Sequence, residues 1–193
     1  MLHTLINNKR TLRLVLILYF NMETTRNKLP QHINAYFNKL STYLDTKLYF
    51  FGSVQRIDYV EKESDIDIAI FTDNMPSILL KLQNFLNIDR SRIKRFVSKE
   101  KIKDHFHYGN KVIYEGDDLD FVFEIVIYDS KIKQEMLDFY VNVNNIPICA
   151  SLILLFLKYL KYYYIISSKT YYQLKKKMFL LVIPNQCQLV VLD

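Results

Sequence analysis

Apolar positions recur along this chain with two periods, and the switches between them mark out its elements. From Pro30 to Leu44, the residues Ile33, Phe37, Leu40 and Leu44 fall on one face of a helix, and Pro30 suits its first turn. Residues 47–51 then read as a short apolar strand running into Gly52-Ser53, where Ser53 is placed to cap a short helix. The run Asp65-Ile66-Asp67-Ile68-Ala69-Ile70-Phe71 alternates with a period of two and predicts a strand. Turn residues at 72–76 precede a helix capped by Ser77 and ending near Leu86, with Ile78, Leu79, Leu82 and Phe85 inward. Strands are predicted at 92–97 and, after a turn at Gly109-Asn110, at 111–114, followed by a long strand over 119–128. Beyond Asp129 the pattern is helical, over 131–140, from Pro147 to about Ile166, and over 169–181, with a terminal strand or tail at 189–192. The expected architecture is α+β: a mixed β-sheet backed by helices on one face, with a short C-terminal helical segment.

The alternating run carries the chemistry. Residues i and i+2 of a strand share a face, so Asp65 and Asp67 stand side by side with isoleucines behind them. Paired carboxylates suit a hard divalent cation; taken alone, the same pattern also describes a half-buried strand with a solvated acidic face. The segment before it favours the first reading. An apolar strand leads straight into Gly52-Ser53, where glycine permits close backbone approach and a helix start presents N–H groups to a phosphate. A phosphate cradle and a carboxylate pair at this separation together point to a nucleotide site.

The order Phe51-Gly52-Ser53, eleven residues, then Asp65-Ile66-Asp67-Ile68 resembles the signature of the DNA polymerase β-like nucleotidyltransferase superfamily. Arg56 and Ser64 fall where small members of that superfamily often have an arginine and a serine. The resemblance implies the nucleotidyltransferase fold and transfer of a nucleoside monophosphate from a nucleoside triphosphate, with ATP the expected one, assisted by Mg2+ or Mn2+. It implies that Asp65 and Asp67 hold metal, that Gly52 and Ser53 bind the outer phosphates, and that Arg56 and Ser64 support nucleotide binding. It also implies a third acidic residue on a neighbouring strand. The stretch 119–128 offers two, Asp120 and Glu124, on the same face. Glu124 is preferred because it sits mid-strand between Phe123 and Ile125, where a carboxylate is costly without a metal or partner; Asp120 adjoins the acidic turn 115–118.

Composition narrows the picture only a little. The chain has 193 residues, half of them hydrophobic, enough for one medium domain and a small appendage. The expected division is an N-terminal extension (1–21), a catalytic domain (22–140) and a helical appendage (141–193). A net charge of +6 fits a polyanionic substrate, and RNA is the first expectation for the acceptor, ahead of a protein side chain or a small molecule. The two cysteines, Cys149 and Cys187, match no metal-ligand spacing and fit a reducing, cytoplasmic setting. Leu12–Phe20 is too short and too charged at its start to cross a bilayer, and no membrane association is expected.

Three further features have competing readings. Lys94, Arg95, Lys99, Lys101 and Lys103, interleaved with Phe96, Phe106 and Tyr108, suit either a single-stranded nucleic acid or a strand edge guarded by charge. His105 and His107 share a face but fall short of a zinc site. The wide apolar surface of the helix over 147–166 suits core packing, a protein partner or a homodimer. That helix keeps open a second functional class, an inactive or antitoxin-like regulatory protein on the same fold.

Overall fold

The computed structural model describes residues 22–100, 106–116, 119–183 and 187–192. Helix α1 (Gln31–Leu44) follows Pro30, whose fixed φ starts it, and buries the predicted face Ile33, Phe37, Leu40 and Leu44. Strand β1 (Tyr49–Phe51) enters a four-residue 3-10 turn, Gly52–Gln55, and the chain returns as β2 (Ile66–Thr72). Helix α2 (Met75–Leu86) is capped one turn earlier than expected, by Asn74, whose side chain accepts the Ser77 N–H at 3.2 Å. Strands β3 (Lys94–Glu100), β4 (Phe106–Tyr114) and β5 (Phe123–Asp129) follow. Helices α3 (Lys133–Asn144), α4 (Ile148–Tyr162) and α5 (Ser168–Val182) lead to strand β6 (Cys187–Leu192). The expected N-terminal extension lies outside the described residues.

The six strands form one mixed sheet in the order β1-β2-β5-β4-β3-β6. Only β2 and β5 pair in parallel, with Asp67 opposite Glu124; every other pair is antiparallel. On one face, Ile66, Ile68, Ile70, Phe123, Ile125 and Ile127 pack with α1 and α2 into the main core. The opposite face is not bare. Ala69, Phe71, Phe96, Val126 and Tyr128 pack there against Met136, Leu137 and Tyr140 of α3, so helices cover both sides. Tyr140 stacks on Phe51 with ring centroids 3.9 Å apart, which fixes α3 beside the end of β1.

One predicted turn is absent. Gly109 and Asn110 lie inside β4, paired with Phe96 and Arg95. The glycine is there for packing: a Cβ at 109 would come within 2.6 Å of the Phe96 ring. Its lack of a side chain admits that ring to the core. Strand β5 starts four residues later than the sequence pattern suggests, leaving Asp120 outside it.

Helices α4 and α5 form a smaller cluster around Ile146, Ala150, Leu154 and Ile183. The inward face of α4 is Ala150, Ser151, Leu154, Leu157 and Lys158, while Ile148, Leu152, Phe156 and Tyr159 stay exposed. Among the described residues no single helix is long and apolar enough to cross a membrane, although α3 and α4 pass that test as a pair bent by 77°.

Candidate active site

Strands β2 and β5 bring three carboxylates together. Asp65 stands one residue before β2, Asp67 is the second residue of β2, and Glu124 is its partner in β5. One oxygen from each lies within 4.8 Å of the other two. Such a set of hard oxygen donors fits a divalent cation of the magnesium or manganese class. Burial raises the Asp67 pKa well above the usual carboxylate range, and the charges of Asp65 and Glu124 raise it further. Lys175 of α5 and Arg56 pull it back in part. Burial and like charge thus both disfavour the ionised form of Asp67 in the absence of a cation.

Glu124 is not left alone. Lys111 of β4 places its Nζ 2.7 Å from Glu124 Oε2. Asp120, the other acidic residue of this stretch, lies away from the cluster on the surface and pairs with His32 of α1 at 2.9 Å. Its pKa is lowered by that hydrogen bond.

The Gly-Ser turn presses on the same cluster. Gly52 has φ +76°, the left-handed region that favours glycine, and a Cβ there would run into the Asp67 carboxylate, 2.9 Å from Cγ. The Gly52 N–H donates to Asn144 Oδ1 at 3.0 Å, so the end of α3 holds the turn in place. That N–H is thus committed within the protein, and what Gly52 leaves open is space. Ser53 is buried, and its hydroxyl has no hydrogen-bond partner among the described residues. An orphaned buried hydroxyl is costly unless something else meets it. A phosphate oxygen at this turn would do so.

The structure turns Arg56 and Ser64 inward. Arg56 donates Nε to Asp58 Oδ1 at 2.7 Å and Nη2 to Asp58 Oδ2 at 3.0 Å, and its Nη1 reaches the Val143 carbonyl at 3.3 Å. A guanidinium spent on a bidentate pair is not free for direct contact with a second anion. Ser64 Oγ accepts the Val60 N–H at 3.0 Å and a hydrogen bond from Lys158 Nζ at 2.7 Å. Its work is to shape the loop that delivers Asp65.

Several residues around the site were not legible in the sequence as such. Lys158 is 5% exposed, and its Nζ also donates to the Asp58 carbonyl at 2.7 Å. Desolvation lowers its pKa to about 8, against the opposing pull of Asp58. The signal was available: a lone lysine directly after Leu154-Leu155-Phe156-Leu157 implies a buried partner for its charge. Lys111, Asn144 and Asp58 carried no such signal, because their roles depend on which strands and helices become neighbours. Lys175, from a run that reads as the solvated end of a helix, proves close enough to act on Asp67.

Of the pair of histidines, His105 lies outside the described residues; His107 is buried and faces Glu135 of α3 at 3.5 Å. Lys101 and Lys103 also lie outside them.

A family model described as nucleotidyltransferase domain matches residues 32–141, a span that contains the Gly-Ser turn and all three carboxylates. No curated protein and no solved structure matches the chain.

Proposed function

Because the chain belongs to the nucleotidyltransferase domain family, we propose that it transfers a nucleoside monophosphate from a nucleoside triphosphate, ATP first, to an acceptor hydroxyl, and that an RNA end is the acceptor. The observation that carries this reading is the convergence of Asp65, Asp67 and Glu124 within 4.8 Å beside a turn with an orphaned serine hydroxyl. In this scheme the three carboxylates hold one or two divalent cations, magnesium or manganese. Bound there, such ions neutralise triphosphate charge and lower the pKa of the attacking hydroxyl.

The protein's own groups do the rest. The Ser53 hydroxyl donates to an outer phosphate oxygen, and Gly52 keeps the turn clear of side-chain bulk. Arg56 and Lys175 contribute positive field, and Ser64 holds the Asp65 loop. The acceptor oxygen attacks the α-phosphorus, the bond to the β-phosphate breaks, and pyrophosphate leaves. In this scheme Glu124, the third carboxylate, also takes the acceptor proton. The net charge of +6 supports a nucleic-acid acceptor over a neutral one.

Label transfer from α-labelled triphosphates tests this directly, with magnesium or manganese present and total RNA, a protein extract or the enzyme alone as acceptor. Label should appear on RNA and fall at least about a hundredfold with Asp65→Ala/Asp67→Ala. Label on protein would reassign the acceptor, and equal transfer by the double variant would refute the site. One observation favours a second reading, a regulatory protein on the same fold: the exposed apolar face of α4, Ile148, Leu152 and Phe156, offers a partner a surface. Absence of transfer in every arm, by a folded protein that still binds nucleotide, would favour that reading.

A further inference from the structure

Among the described residues, the face of the sheet that carries α1 and α2 is only partly covered. Along β4, the residues of that face run from core to solvent: Tyr114 and Val112 are buried, Asn110 is 9% exposed, and Tyr108 and Phe106 are 65% and 52% exposed. Helix α2 ends its cover at Asn110, where a groove of about 340 Å3 opens, lined by Met75, Pro76 and Leu79 together with Arg90, Arg95 and Asn110. Arg95 is the cross-strand partner of Asn110, and Tyr108 lies two residues along on the same face. The Oδ1 of Asn110 is buried, lines this groove and has no hydrogen-bond partner among the described residues. Among the described residues, neither Arg90 nor Arg95 is paired with a carboxylate, and both are exposed.

This charge does not protect an edge. Strand β3 is interior, with β6 paired along its outer side. A sheet strand that is already covered has no need of arginine or lysine to discourage further pairing. What remains is an exposed aromatic ring on the sheet face, two exposed guanidinium groups, an apolar shelf and an amide oxygen with no partner among the described residues. A nucleotide unit of a single strand presents a π-face, an anionic phosphate and a base edge with hydrogen-bonding groups, and it matches each of these.

We propose that this open face of β3 and β4, on the side of the sheet away from the carboxylates, is a second binding surface for single-stranded nucleic acid. Tyr108 stacks on a base, Arg90 and Arg95 hold phosphates, and the groove at Asn110 receives a base edge. The surface would anchor an acceptor strand at a distance from its reacting end. That role rests on RNA being the acceptor; the binding itself does not.

Fluorescence anisotropy of a labelled adenylate RNA of about 15 nucleotides tests it, in chelator and without triphosphate, so that a failure of transfer chemistry cannot mask binding. Tyr108→Ala should weaken binding about tenfold. Arg90→Gln/Arg95→Gln should weaken it similarly and make the plot of log affinity against log salt shallower by about 1.4, two phosphates at about 0.7 each. A duplex of the same length should bind more weakly, because its bases are not available to stack. All three positions are surface-exposed, and unchanged ATP binding by the variants confirms an intact fold. Wild-type affinity in both variants would overturn the proposal. So would failure of the wild-type protein to bind the oligonucleotide, which would leave this face to a protein partner.

Discussion

Asp67 sits in partial burial between two other acids, Asp65 and Glu124, and pressed against the Gly52 backbone. Burial and like charge both work against its ionised form, so without a cation the residue costs stability at neutral pH. Sites that bind charge commonly trade stability in this way. Asp67→Asn keeps the shape and removes the charge. We expect it to raise the denaturation midpoint in chelator, by about 1 kcal/mol in stability, while lowering label transfer at least about a hundredfold. A variant no more stable than wild type in chelator would mean that Lys111, Lys175 and Arg56 already balance the cluster. Asp65 and Asp67 are visible in the sequence because the paired carboxylates follow a Gly-Ser turn at the separation of a nucleotide site; the alternating run alone would also describe a solvated acidic face. The third acid is narrowed there to two residues of one stretch, with Glu124 preferred for its mid-strand place. The structure groups Glu124 with the aspartates, while Asp120 falls before β5 and pairs with His32.

At the scale of elements, α4 is joined to the site by a buried charged cluster. Arg56 and Asp58 pair, and Lys158 ties both Asp58 and Ser64 to the helix. The pKa of Lys158 is depressed from about 10.5 to about 8, so between those values the unfolded chain binds more protons than the folded one. Stability must then rise with pH across that window. Tyr162 and Tyr171 act in the opposite sense, since their pKa values are raised and the loss begins as unfolded tyrosine ionises near pH 10. The expected signature is an increase in denaturation midpoint from about pH 8 to about pH 9.5, absent in Lys158→Met. A flat profile for the wild-type protein over that range would show that Lys158 is not held in the way its surroundings imply.

Elements were readable where one period dominates. Helix α1 matches its pattern closely because it has one buried face, and strand β2 because its alternation runs unbroken between two cores. Reading failed at Gly109-Asn110, where turn-forming residues serve a strand: the glycine accommodates Phe96, and Asn110 borders the groove. Local preference gave way there to long-range packing. The inward face of α4 was hidden for a related reason. That helix has apolar residues all round, so its sequence does not say which side is buried.

Taken whole, the molecule is a six-stranded sheet with a division of labour between faces. Helices α1 and α2 fill one face and, among the described residues, leave β3 and β4 open beyond Asn110. On the other, α3 supports the Gly-Ser turn through Asn144, and α5 brings Lys175 near the acids. The Gly-Ser turn, the paired aspartates and the parallel β2–β5 register thus converge on one corner of the sheet, although they are separated by more than seventy residues of chain. Everything proposed for that corner requires it to be a single cation-dependent nucleotide site. Mn2+ binding followed by electron paramagnetic resonance, with and without ATP, measures this most directly. Wild-type protein should bind Mn2+ more tightly when ATP is present, Glu124→Gln should weaken that binding, and Asp67→Asn should remove at least about nine-tenths of it. Equal Mn2+ affinity in wild type and Asp67→Asn, with ATP or without, would contradict a shared site for cation and nucleotide.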